Sequence, residues 1–213
     1  MQPIRSESDI ASAIERLLAI APAFRRVIDA AGPVPLRRLP TGYEGVAGIV
    51  VSQMVSRASA DAIWGRLQAL LGAVTPAAVL GRSVEELRAV GLSGAKESTL
   101  RILAEACEGG LDLERTATLP ADAAIGEMTG LKGIGLWTAE VYLLFAAGHP
   151  DIFPSGDVAL RTAAGEAFGL AERPTDRALR LMSLDWSPER SIAARLLWAY
   201  YGRRHKRDAM PVA

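Results

Sequence analysis

The chain has 213 residues, half of them hydrophobic, with 24 Lys and Arg balanced by 24 Asp and Glu and a single cysteine. That length allows one large or two small domains with a substantial core, and the hydrophobic content excludes a disordered chain. Charges interrupt every apolar run within about 18 residues, which excludes a membrane-spanning helix. Cys107 by itself excludes an internal disulfide and a four-cysteine iron–sulfur cluster, and reads as a small apolar packing residue. Zero net charge means that any basic footprint for nucleic acid is local. Residues 1–9 are polar and acidic and carry no signal-peptide pattern.

Apolar periodicity predicts a helix over 7–21, with Ile10, Ile14, Leu17, Leu18 and Ala21 on one face. A second runs from Pro22 to about Ala31, with Phe24, Val27 and Ile28 inward, and Gly32-Pro33-Val34-Pro35 breaks the pattern. Thr41 with Glu44 reads as a capping box opening a helix from Tyr43 to about Val55. Small polar residues in Val51-Ser52-Gln53-Met54-Val55-Ser56-Arg57 interrupt that run before a helix over 58–71. Ser83 and Glu86 form another capping box for a short helix to about Val90. The next covers 95–108, with Leu100, Leu103, Ala104 and Cys107 inward, and Gly109-Gly110 stops it. Pro120 suits the first position of a helix over 121–129. Further helices are predicted over 136–147, 157–168 and 175–184, the last capped by Thr175. Ser187-Pro188 opens the final one, Glu189 to about Tyr201, followed by a basic tail over 203–207. No alternating strand pattern occurs, so the fold class is all-α, and no period marks a repeat solenoid.

One stretch organises the rest: Leu131-Lys132-Gly133-Ile134-Gly135-Leu136-Trp137-Thr138-Ala139. Two glycines flank one apolar residue between two helical patterns, which permits a tight hairpin and close approach of another backbone. The helix that follows opens with amides lacking helical partners, and these suit a phosphate. The loop Gly148-His149-Pro150-Asp151-Ile152-Phe153-Pro154-Ser155-Gly156 then delivers Asp157 to the start of the next helix. Residues 131–160 resemble the helix-hairpin-helix DNA glycosylases, whose motif ends in Gly/Pro followed by aspartate. Trp137-Thr138-Ala139, Phe153-Pro154-Ser155-Gly156-Asp157 and Trp186-Ser187-Pro188-Glu189-Arg190 are similar to the bacterial 3-methyladenine DNA glycosylase II family, with the likeness spanning roughly 42–200.

The resemblance implies two helical subdomains, 40–130 in one and 1–39 with 131–213 in the other, and a lesion pocket in the cleft between them. The N-terminal β-domain of some relatives is expected to be absent. It implies a monofunctional enzyme of base excision repair that flips out and hydrolyses alkylated purines such as 3-methyladenine and 7-methylguanine. Asp157 is then the catalytic carboxylate, since breaking an N-glycosidic bond leaves an oxocarbenium-like cation. An aspartate at a helix start is also an ordinary N-cap, and the two readings are compatible. Asp151 is read as structural. Trp137 stands where bifunctional relatives carry the lysine that attacks C1′, so water is the expected nucleophile.

A flipped cationic base needs an electron-rich ring face. Trp198 matches the family's pocket tryptophan; Trp137 and Tyr142 are further pocket candidates, and all three also read as core aromatics. Gly133, Gly135, Lys132 and Thr138 are expected to bind DNA, as is Met54 at the position of the family's wedge with Gln53 beside it; Met54 also reads as core. The resemblance places a monovalent cation, Na or K, on the backbone carbonyls of Thr129, Leu131 and Ile134, and no other cofactor is required. His149 and His205 form no hydrolytic triad, and no side-chain cluster has zinc spacing. The expected partner is double-stranded DNA containing alkylated bases, met by a monomer in the cytoplasm, associated with the nucleoid, with no membrane contact. The alternative is a non-catalytic helix-hairpin-helix DNA-binding module, which needs neither Asp157 with its Phe153-Pro154 approach nor an aromatic last helix.

Overall fold

The computed structural model describes residues 3–206, 210 and 211, and among these the regular structure is entirely helical. Arg207, in the basic tail, lies outside the described residues. The chain divides into two units: residues up to 38 with those from 143 onward, and residues 39–142. The hairpin and the helix after it, expected with the terminal segments from residue 131, cluster instead with the middle unit.

The first unit opens with α1 (Glu7–Ile20), where the Ser6 side chain accepts the Asp9 N–H and the Asp9 carboxylate accepts the Ser6 N–H. It buries Ile10, Ala13 and Leu17. After it comes α2 (Phe24–Ala31), burying Phe24, Val27 and Ala31.

The middle unit holds α3 (Tyr43–Ser52), α4 (Arg57–Leu71), α5 (Pro76–Leu80), α6 (Val84–Ala89), α7 (Gly94–Glu108), α8 (Leu113–Thr116), α9 (Ala121–Thr129) and α10 (Leu136–Tyr142). α5 and α8 were not expected: at five and four residues they are too short to show an apolar period, and only their caps, Thr75 and Asp112, betray them. α3 is apolar almost all round because it packs on α4, α7 and α10. Both its ends differ from expectation. The cap is Gly42 at φ 81° rather than Thr41, and the Gly42 N–H donates to the Tyr142 hydroxyl at 2.8 Å, which replaces the expected capping box. At the other end the helix stops at Ser52, three residues early. The Ser52 hydroxyl turns back to the Ile49 carbonyl (2.8 Å), and Met54 takes a left-handed φ of 56°. The Ser83–Glu86 capping box forms as predicted.

The helix expected over 136–147 changes character midway. After α10 the backbone widens into a π turn, Leu143–Ala147, and the chain leaves it with the His149 N–H donating to the Leu143 carbonyl (3.0 Å). The first unit resumes there and adds α11 (Val158–Ala167), α12 (Asp176–Ser183), a 3-10 turn at Leu184–Trp186, and α13 (Arg190–His205). α13 packs on α1, α2 and α11, so its middle is buried on every side. It runs past the expected end at Tyr201, and Arg203, Arg204 and His205 in its last turn complement the helix dipole. Beside it, Trp186 meets Phe24 edge-on at 5.1 Å, Phe153 at 5.2 Å and Phe168 at 5.7 Å. This aromatic cluster anchors the loop ahead of Asp157 through Phe153.

Candidate functional site

The approach loop is clamped at three successive residues. Asp151 accepts from Arg190 Nε (2.7 Å) and Nη2 (3.0 Å) and from the Ser187 hydroxyl (2.8 Å). Ile152 donates its N–H to the Ser191 hydroxyl (2.9 Å), which in turn donates to the Ile152 carbonyl (3.0 Å). Phe153 enters the Trp186 cluster. Burial alone raises the Asp151 carboxyl, but the hydrogen bonds from Arg190 and Ser187 outweigh it and hold the group below the usual carboxylate range. The structural role read for Asp151 is the one seen. Burial pushes the His149 imidazole below its ordinary value, and its Nδ1 accepts the Asp151 N–H at 3.1 Å, an arrangement that needs the neutral ring.

That clamp presents Asp157, whose own N–H donates to the Pro154 carbonyl at 2.9 Å. Asp157 is the N-cap of α11: its Oδ1 accepts the N–H groups of Ala159 (2.8 Å) and Leu160 (3.0 Å). The same oxygen accepts the Trp198 indole N–H at 3.3 Å. Three donors on one oxygen fix the carboxylate plane while the residue stays partly exposed. The N-cap geometry thus leaves a fixed, partly exposed carboxylate at the start of α11. Trp198, expected as a pocket wall, is 1% exposed and packs on Phe145 at 5.6 Å; in this structure it supports the carboxylate from behind.

In the middle unit, the hairpin turns through Gly133 at φ 93°, and a Cβ there would collide with the Thr99 side chain. Gly135 faces open space: a Cβ would meet nothing within 4 Å. The first helical bond of α10 is Ala139 N–H to the Gly135 carbonyl (3.1 Å), so the amides of Leu136 and Trp137 precede it. Lys132 is exposed and Trp137 half-buried. Two candidates are corrected. Thr138 is 2% exposed and its hydroxyl accepts the Gln53 amide at 2.8 Å, so it ties the α3–α4 turn to the hairpin helix instead of facing DNA. Tyr142 is fully buried, and its hydroxyl donates to the Leu113 carbonyl (3.0 Å) while accepting from Gly42, which leaves it no surface for a base. Met54 is 101% exposed, which rules out the core reading. Thr129 is exposed, Leu131 half-buried and Ile134 buried, and the Leu131 carbonyl accepts the Ile134 N–H at 3.1 Å.

Sequence reasoning missed Phe145 and Arg195, which line up behind Trp198. The available signal was a single charge in the apolar run Ile192-Ala193-Ala194-Arg195-Leu196-Leu197-Trp198.

The family model described as HhH-GPD superfamily base excision DNA repair protein matches residues 47–189, and the chain belongs to that superfamily. DNA-3-methyladenine glycosylase 1 of Schizosaccharomyces pombe is 31% identical over 161 residues, covering 73% of this chain and 71% of the relative. The crystal structure of a DNA-3-methyladenine glycosidase from Bacillus halodurans superposes with a TM-score of 0.79, at 29% identity and 93% coverage of both chains. A Schizosaccharomyces pombe 3-methyladenine DNA glycosylase, Mag1, in complex with abasic DNA gives 0.80, at 28% identity over 90% of this chain and 95% of the other.

Proposed function

We propose that the protein is a monofunctional DNA glycosylase that releases alkylated purines, such as 3-methyladenine and 7-methylguanine, from duplex DNA. The observation that carries this reading is Asp157, a partly exposed carboxylate held by three N–H donors on Oδ1, in a chain of the base excision repair superfamily. The substrate class is supported by its similarity to DNA-3-methyladenine glycosylases.

In the proposed reaction the C1′–N bond lengthens and its electron pair leaves with the base. A base alkylated on a ring nitrogen is already cationic and departs neutral, so no strong general acid is required. Positive charge develops on the sugar, and the fixed carboxylate of Asp157 stabilises it without reorganising. A water oxygen then bonds to C1′, and its proton passes to Asp157 or to solvent. Trp137 has no amine with which to form a Schiff base, so the product is an intact abasic strand. Gly133, Gly135 and Lys132 anchor phosphate, and Met54 fills the stack vacated by the flipped base, with Gln53 steadied on Thr138 beside it. Trp137, half-buried at the start of α10, is the candidate ring for the flipped base.

The carbonyls of Thr129, Leu131 and Ile134 are neutral oxygens near the C-terminal end of α9, where the helix dipole is negative. Such a donor set suits a hard monovalent cation, Na or K, and duplex affinity should fall when both are replaced by tetramethylammonium; equal affinity would remove the ion from the account. No helix among the described residues is long and apolar enough to cross a membrane. The substrate locates the enzyme with the nucleoid, in the cytoplasm, and one flipped base needs only a monomer. The functional test is Asp157→Asn, which keeps the cap but removes the charge. Base release should fall by about 100-fold or more, with duplex binding retained. Release at the parental rate would sink the assignment.

A further inference from the structure

Arg195 sits in the buried middle of α13 and is 0% exposed. Its Nη1 and Nη2 each donate to the Arg37 carbonyl at 3.2 Å, and Nη2 also reaches the Leu144 carbonyl at 3.4 Å. Its Nε is buried without a hydrogen-bond partner among the described residues. The guanidinium carbon lies 4.5 Å from the centre of the Phe145 ring. Phe145 in turn lies 5.6 Å from Trp198 with the planes 32° apart, and the Trp198 N–H points at Asp157 Oδ1. Burial, and then the like charges of Arg37 and Arg38, push the guanidinium down to about 10, which leaves it a cation at neutral pH.

Stability does not explain this group. Its two bonds to the Arg37 carbonyl and the longer one to Leu144 leave Nε without a partner among the described residues, and no carboxylate among its bonded partners offsets the desolvation of its charge. What a guanidinium supplies is direction. Its planar donors hold a carbonyl of the π turn, and its charge favours the face of Phe145 over the edge. π turns occur frequently at functional sites, and this one carries Phe145 between the cation and the indole.

We propose that Arg195 is a positioning residue for the Asp157 carboxylate, acting through Phe145 and the Trp198 indole, with the Leu143–Ala147 π turn holding Phe145 in that stack. The proposal rests on the reading of Asp157 as the catalytic carboxylate. Arg195→Met empties the guanidinium position at nearly constant volume. The Trp198 ring then loses its backing, its N–H leaves the line to Oδ1, and the carboxylate is less well held in the transition state than in the bound ground state.

The test is a double-mutant cycle read by two methods. Single-turnover excision of 3-methyladenine should fall about tenfold in Arg195→Met, while affinity for abasic duplex changes less than about twofold. In a Trp198→Phe background, which lacks the N–H, Arg195→Met should add almost nothing. Independently of activity, the indole N–H resonance of Trp198, assigned by its absence in Trp198→Phe, should shift in Arg195→Met and recover in part in Arg195→Lys. Losses that multiply in the Trp198→Phe background, or an unmoved indole resonance, would overturn the proposal. If Arg195→Met does not fold, Phe145→Leu breaks the same stack from the other side and should move the same resonance; no movement there is equally fatal. A parental protein that excises nothing defeats the functional reading, while the resonance still decides whether Arg195 orients Trp198.

Discussion

At the scale of single residues, the two hairpin glycines do different jobs. A side chain at Gly133 collides with Thr99 and is strained by φ 93°, so Gly133→Ala should destabilise by about 1–3 kcal/mol. Gly135→Ala meets nothing in the chain and should leave stability within about 0.5 kcal/mol of the parent, yet weaken duplex binding if DNA backbone approaches there. Chemical denaturation and a binding titration on the two variants separate these effects. Parental affinity in Gly135→Ala would remove the close-approach argument. Met54 offers the opposite trade. Its left-handed backbone and full exposure mean that Met54→Gly relieves strain and should stabilise by up to about 1 kcal/mol, while excision from paired sites falls. A loss of stability greater than about 1 kcal/mol would show that the side chain packs after all. Composition and spacing left Met54 open between wedge and core; its full exposure just beyond the end of α3 removes the core reading.

At the scale of elements, the approach loop is the part that links stability to pH. His149 and Asp151 both have folded-state pKa values below their ordinary 6.5 and 3.8. Their stabilisation is therefore complete above those values and is lost as pH falls through the lower folded ones. Thermal midpoints should hold steady above about pH 6.5, decline below it as His149 resists protonation, and decline again below about pH 3.8 with Asp151. His149→Asn keeps an acceptor for the Asp151 N–H and should flatten the first decline only. An unchanged slope in that variant would assign it elsewhere. The long amphipathic helices of this fold were legible because burial on one face imposes a 3.6-residue period. α5 and α8 were not, because one turn carries no period. The π turn was not either, since Leu143-Leu144-Phe145-Ala146-Ala147 continues the apolar run of α10 without a break.

At the scale of the whole molecule, the sequence carried the family through three separated runs, and with it Asp157. It did not carry the supporting layer. In the sequence Thr138 reads as DNA-facing, and Tyr142 and Trp198 as pocket wall or core, because polar and aromatic residues near a motif look alike whether they face substrate or hold the wall that does. Their hydrogen bonds to Gln53, Leu113 and Asp157 decide the matter. The proposed chemistry is hydrolysis at C1′ beside a fixed carboxylate, with no amine nucleophile. The most direct measurement is to incubate the protein with methylated duplex DNA in the presence of borohydride and analyse both the released bases and the strand. Free 3-methyladenine, an unbroken abasic strand and no covalent protein–DNA adduct, with release lost in Asp157→Asn, is the predicted result; a trapped adduct at stoichiometric yield, or no free base from the parental protein, would contradict it.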